Sequence, residues 1–95
     1  MVQLLAVIVA ALTLLASFPG EKEYSAQAKI SIKKACQIAL HAYPGTIVSK
    51  GLEKEAGGSG LRYSIDVKGA SGTREIGVDA ITGKVLENSE EKGGD

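Results

Sequence analysis

The sequence predicts a small α+β domain in which one amphipathic helix packs on an antiparallel sheet of three to four strands, preceded by an apolar N-terminal helix. Residues 61–87 contain runs in which apolar and polar side chains alternate. Glycine-rich breaks separate these runs, as expected of antiparallel strands with one buried face. Residues 32–43 instead place apolar side chains three and four positions apart, which is the spacing of a helix with one buried face.

The N-terminal residues are almost wholly apolar and predict an export signal. Val2–Phe18 lacks the polar stripe of a helix packed in a soluble domain, and Pro19-Gly20 ends the run. Small residues at Ala26 and Ala28 match the pattern before a signal-peptidase cut, which predicts a signal peptide at residues 1–28. Because no Lys or Arg precedes the apolar run, an uncleaved membrane anchor and a buried core helix are the alternatives. A signal peptide or a membrane anchor would place the rest of the chain in the periplasm or outside the cell.

The helix has clear start and stop signals. Ser31 is a predicted N-cap, and Pro44-Gly45 ends the helix after Ala42 or Tyr43. Its predicted apolar face comprises Ile32, Ala35, Cys36, Ala39, Leu40 and Tyr43.

Four strand candidates follow, and the short connections between them favour hairpins. The first candidate alternates loosely, because Val48 and Leu52 share one face while Ile47 lies on the other. Gly57–Gly60 is predicted to be a flexible hairpin connection. The predicted elements are strands at residues 46–56, 61–68, 73–80 and 84–87, followed by a frayed polar tail at residues 89–95.

Charge and motif spacing argue against several functions. The formal net charge is zero, whereas nucleic-acid binding needs a basic face. The single Cys36 has no disulfide partner, and His41 lies about 140° away from it around the helix, so the two do not form a nucleophile–base pair or a zinc site. Gly57–Gly60 leads into a strand, unlike a phosphate loop.

Asp79–Gly83 lacks the third and fifth side-chain oxygens of a calcium loop, so we expect Asp79 and Thr82 only to shape a turn. We therefore predict a non-enzymatic protein without a cofactor or metal.

Several motifs in residues 29–88 resemble the PepSY domain family. The most distinctive is VDAITGKV at residues 78–85, and YSIDV at residues 63–67 agrees with it. Lys33-Lys34 departs from the acidic residues that members often carry there, which changes surface charge. Members occur in propeptides of secreted metallopeptidases, in membrane-bound proteins and as small exported proteins. The resemblance implies a module that binds and restrains peptidases.

The resemblance predicts an exported, non-enzymatic domain that binds a protein partner and inhibits or modulates a peptidase. The alternative is a membrane-tethered accessory or sensor subunit that docks on a neighbouring membrane protein, with only the N-terminal segment in the membrane. Strand addition at a sheet edge is one way to bind. Lysines and arginine at positions 50, 54, 68 and 74 have a plainer explanation, which is to keep the sheet soluble. The residues predicted to contact the partner are Glu53, Glu55, Gly57, Gly58, Ser59, Gly60, Arg62 and Ser64.

Overall fold

A computed structural model describes residues 24–91, in which one helix packs on a four-stranded antiparallel sheet. Each strand pairs with the next along the chain, which confirms the predicted α+β class and the hairpins. The predicted apolar helix over residues 2–18 lies outside the described residues. Within the described part, no helix is long and apolar enough to cross a bilayer. The elements are helix α1 at Ile32–Ala42 and strands β1 at Thr46–Lys54, β2 at Leu61–Gly69, β3 at Gly72–Asp79 and β4 at Val85–Glu90.

Helix α1 begins and ends where the sequence predicts. The Ser31 hydroxyl oxygen accepts the N–H of Lys34 at 3.0 Å, a cap that contributes about 1 kcal/mol. At the other end, the N–H of Tyr43 donates to the Ala39 carbonyl at 2.9 Å before Pro44 stops the helix.

The apolar face of α1 is slightly rotated from the predicted one. Ala35 and Ala39 are fully buried, and their small side chains let the helix approach the sheet closely. Ile32 was predicted on this face but is 37% exposed, whereas Ile38, which was not predicted, packs against the core.

The hydrophobic core lies between α1 and the side of β2 and β3 that faces it. Ile65 and Ile76 are directly paired across the two strands and are fully buried. Tyr63 adds a polar tie, because its hydroxyl donates to the Ile30 carbonyl at 2.7 Å and holds the chain that enters the helix. The buried apolar residues are Ala35, Ala39, Leu61, Tyr63, Ile65, Val67, Ile76, Val78 and Ala80.

A β-bulge in β1 corrects the predicted alternation. The pairing with β2 shifts between Ile47 and Ser49, so Val48 is an extra residue in the ladder. Ile47 and Leu52 therefore both pack against the core, whereas Val48 is 55% exposed. The sequence pattern put Val48 with Leu52 because an uninterrupted period of two cannot include the extra residue.

Strand β4 is longer than the short strand expected at residues 84–87. Ser89 and Glu90, which were predicted to begin the frayed tail, pair with Glu75 and Arg74 of β3. The Arg74 guanidinium also donates to the Asn88 side-chain oxygen at 2.7 Å and to its carbonyl at 2.8 Å.

The residues before α1 also pack on the domain. Residues 24–27 form a helical turn, and Tyr24 and Ala28 lie against the core. The N–H groups of Lys29 and Ile30 both donate to the Ala80 carbonyl at 2.9 Å. A cut after Ala28 would remove the helical turn but keep the Ile30 bond.

We expect Ile65→Ala to lower the free energy of unfolding by about 3 kcal/mol, because it leaves a cavity beneath α1. Urea denaturation followed by circular dichroism measures this change. Val48→Ala is the matched control, and its effect should stay within about 0.5 kcal/mol because that side chain is exposed. Equal losses in the two variants would contradict this placement of the core.

Candidate protein-binding face

The predicted binding loop is the tip of the β1–β2 hairpin, and its backbone requires glycine. Gly57, Gly58 and Gly60 have φ values of 111°, 56° and 93°, which other residues rarely adopt. A Cβ at Gly58 would overlap the Asp79 carboxylate. The N–H of Glu55 closes the tip by donating to the Gly60 carbonyl at 3.0 Å. The glycines therefore shape a defined turn.

The Asp79 carboxylate anchors this tip. Its Oδ2 accepts the Ser59 N–H at 2.7 Å, and its Oδ1 accepts the Ser59 hydroxyl at 2.9 Å. Oδ1 also accepts the N–H groups of Ile81 at 2.8 Å and Thr82 at 3.0 Å. The predicted turn at Asp79 and Thr82 is thus confirmed. The bonds to Ser59, which is 20 positions away along the chain, were not predicted.

These donors keep Asp79 ionised although it is buried. Burial alone would raise the pKa of its carboxyl, but the N–H groups of Ser59, Ile81 and Thr82 and the Ser59 hydroxyl outweigh burial and lower the pKa to about 2. The negative charge therefore holds the hairpin tip against the β3–β4 turn at any physiological pH.

Arg62 stabilises the β1–β2 hairpin through two contacts of its guanidinium group. Its Nη1 forms an ion pair with Glu87 at 3.1 Å, and its Nη2 donates to the Ala56 carbonyl at 3.0 Å. Gly77 leaves room for the guanidinium, since a Cβ there would lie 3.1 Å from Nη1. Arg62 was predicted to contact a partner, but its side chain is only 8% exposed, so its charge serves the fold rather than the surface.

The sheet face turned away from α1 carries a group of carboxylates that we call the acidic face. Strand register places Glu53 beside Arg62 on this side, and Ser64 lies between them and Glu75, to which its hydroxyl donates at 2.6 Å. Among residues 24–91, the cations that strand register places on this face are Arg62, which is already paired, and Lys68 at the far end of β2. The acidic face comprises Glu53, Asp66, Glu75, Glu87 and Glu91.

Burial and neighbouring carboxylates raise the pKa of two groups on the acidic face. Burial, followed by the nearby charges of Glu55 and Glu75, raises the pKa of Glu53, although Arg62 opposes this. Burial, followed by Glu91 and Glu75, raises the pKa of Asp66. Burial and the neighbouring carboxylates thus both disfavour the charged forms of Glu53 and Asp66, and Arg62 only partly opposes this at Glu53.

The opposite side of the domain is basic. Lys50 and Lys54 point to the helix side of β1, and the Lys54 ammonium lies 5.6 Å from the centre of the Tyr24 ring. The overall charge of zero thus hides a separation of charge between the two sides. Among the described residues, the cations on the helix side include Lys29, Lys33, Lys34, Lys50, Lys54 and Arg74.

Other candidate chemistry gains no support from the geometry. Cys36 is half-buried against the core, and His41 is exposed on the helix. Asp66, Glu75 and Glu91 bring carboxylate oxygens within 4.8 Å of one another, but exposed acidic groups commonly do so without an ion, and we assign none.

The fold and its motifs agree with one protein family. A family model described as "Peptidase propeptide and YPEB domain", PepSY, matches residues 29–88. The chain belongs to the PepSY family. This confirms the resemblance seen in the sequence and associates the domain with peptidase propeptides rather than with a catalytic family. No curated protein and no solved structure gave a significant match.

The structure brings together most of the residues predicted to contact a partner. Glu53, Glu55 and Ser64 lie near the hairpin tip, on or beside the acidic face of the PepSY domain. Asp66 and Glu75 were missed, although each flanks a core isoleucine and the short turn between β2 and β3 places them opposite each other. Aligning the two strands about that turn would have revealed this pair.

We expect Asp79→Asn to lower the free energy of unfolding by about 2 kcal/mol at neutral pH, because it removes the charge that four donors stabilise. The folded pKa lies below the unfolded value of about 3.9, so wild-type stability from this group is present above pH 4 and lost as pH falls through about 2. Urea denaturation at pH 7, 4 and 2.5 measures the trend.

Asp66→Asn is the matched control, because the pKa of Asp66 is raised by its surroundings whereas the pKa of Asp79 is lowered. That substitution should leave stability unchanged or increase it at pH 7. A loss of stability in Asp66→Asn equal to that in Asp79→Asn would contradict the electrostatic assignment.

Proposed function

We propose that this PepSY domain binds a protein partner through the acidic face and the hairpin tip, and thereby restrains a peptidase outside the cytoplasm. The observation that carries the proposal is a sheet face that no element of residues 24–91 covers, and on which carboxylates lie close together with few cations of that range beside them. Membership of a family of peptidase propeptides supports the class of partner.

Charge complementarity determines the kind of surface that fits. Carboxylates that repel one another in the free domain are stabilised when a basic surface approaches, and the raised pKa values of Glu53 and Asp66 then fall. Opposite potentials also accelerate association and disfavour acidic partners. The partner is therefore expected to present lysine or arginine side chains to β2 and β3.

A rigid tip suits steric restraint. The Asp79 bonds to Ser59 and the Arg62 bond to Ala56 hold the hairpin tip before any partner arrives. A pre-organised loop loses less conformational freedom on binding, so more of the interaction energy contributes to affinity. Restraint of this kind requires occupancy of the peptidase surface and no catalytic group on the domain.

Glu75→Lys is expected to weaken partner binding by at least about tenfold, because it puts a positive charge in the middle of the acidic face. The fold should be preserved, because the new ammonium lies beside the carboxylates of Asp66 and Glu91. The measurement starts with capture of secreted and periplasmic proteins by the tagged domain. The turnover of each recovered peptidase is then titrated with wild-type and variant protein.

Lys33→Glu is the matched control, because it reverses a charge on the exposed side of α1. It should leave inhibition within about twofold of wild type. The proposal requires inhibition to weaken with added salt, which screens the paired charges. Inhibition that is equally reduced by both variants, or no recovered peptidase, would overturn it.

We also propose that the protein is exported, on the basis of the apolar residues Val2–Phe18 and the small residues before Lys29. The mass of the protein recovered from cells is expected to lack residues 1–28. An intact N-terminus in the membrane fraction would instead favour the tethered accessory subunit. Recovery from the cytoplasm would contradict both.

A further inference from the structure

A groove lies on the side of the domain opposite the acidic face. It has a volume of about 580 Å³, within the range of ligand-binding clefts, and it separates β1 from the residues that lead into α1. Its floor is apolar and consists of Ile30, Leu52 and Tyr63. We call it the β1 groove.

The β1 groove is basic at its walls. Lys29 and Lys50 line it, and Lys54 continues the same side of β1. None of the described residues that line the groove is acidic. Ile32 lies at its end, where the first turn of α1 adds the positive end of the helix dipole. Among the described residues that line the groove, an occupant with carboxylates would therefore meet lysine side chains and no carboxylate.

The strand that borders the groove is an edge of the sheet. Among residues 24–91, β1 pairs with β2 on one side and with no strand on the other. An edge strand presents backbone N–H and C=O groups that can pair with an extended peptide. The bulge at Val48 interrupts the ladder, which leaves Ser49–Lys54 as the regular stretch available for pairing.

We propose that the β1 groove binds an extended acidic segment of a partner protein, which adds to β1 as a fifth strand. Alternation along β1 turns Lys50, Leu52 and Lys54 to the same side. The side chains of an added strand that lie beside these three residues must be acidic, apolar and acidic in that order, so that charge and polarity are complementary. The segment therefore has the pattern acidic–x–apolar–x–acidic. The inference does not depend on the proposed function, because it uses the other side of the molecule.

The test uses isotope-labelled protein and a synthetic peptide, Glu-Thr-Val-Thr-Glu with capped ends, followed by amide NMR shifts. The expected shifts concentrate in Ser49–Lys54 and Lys29. A peptide with lysine in place of both glutamates should bind at least about tenfold more weakly. Shifts confined to the acidic face, or equal binding of both peptides, would overturn the proposal.

Reversing the charge of one lysine distinguishes specific binding at the β1 groove from non-specific binding of a charged peptide. Lys50→Glu should weaken binding of the glutamate peptide by about tenfold and strengthen binding of the lysine peptide. The matched control is Lys68→Glu, which lies on the other face and should leave both affinities within about twofold. Equal effects of the two variants would contradict the site.

Two other occupants of the β1 edge are tested on the labelled protein before any peptide is added. Amides of Ser49–Lys54 that shift with protein concentration would assign the edge to a second copy of the chain. Amides already protected from hydrogen exchange in dilute full-length protein, but exposed after removal of residues 1–23, would assign it to that segment. Either result overturns the proposal.

Discussion

The rest of the domain depends on the Asp79 carboxylate and the donors around it. Ser59 connects it to the β1–β2 hairpin, and Ile81 and Thr82 connect it to the β3–β4 turn. The adjacent Ala80 carbonyl then holds the residues that lead into α1. Asp79 and Ala80 thereby join the β3–β4 turn to two chain segments that are distant in sequence, in a domain with one cysteine and a small core.

The second constraint is the alternation of side chains along each strand, which separates charge as well as polarity. On β1, Lys50 and Lys54 turn toward the helix, whereas Glu53 turns away from it. The same alternation buries Ile65 and places Asp66 on the other face of the sheet, beside Glu75 and Glu91. A chain with no net charge thus acquires two chemically different surfaces, and the hydrophobic core lies between them.

Local sequence signals were sufficient for much of this architecture. The cap at Ser31, the stop at Pro44 and the alternation around Ile65 each depend on neighbouring residues, so they can be read without knowing the fold. The bulge at Val48 could not be read in this way, because it is a property of how β1 pairs with β2. The same holds for Arg62, whose burial depends on Gly77 and Glu87 of two other strands.

The sequence by itself determined the α+β class, the helix, the order of the hairpins and membership of the PepSY family, because these follow from periodicity, turn residues and a contiguous motif. Only the tertiary structure decided which charges meet. Asp66, Glu75 and Glu91 become neighbours through strand register, and Ser59 reaches Asp79 because two hairpin ends lie at the same end of the sheet. Side-chain contacts between strands depend on register and bulges, which a one-dimensional pattern does not contain.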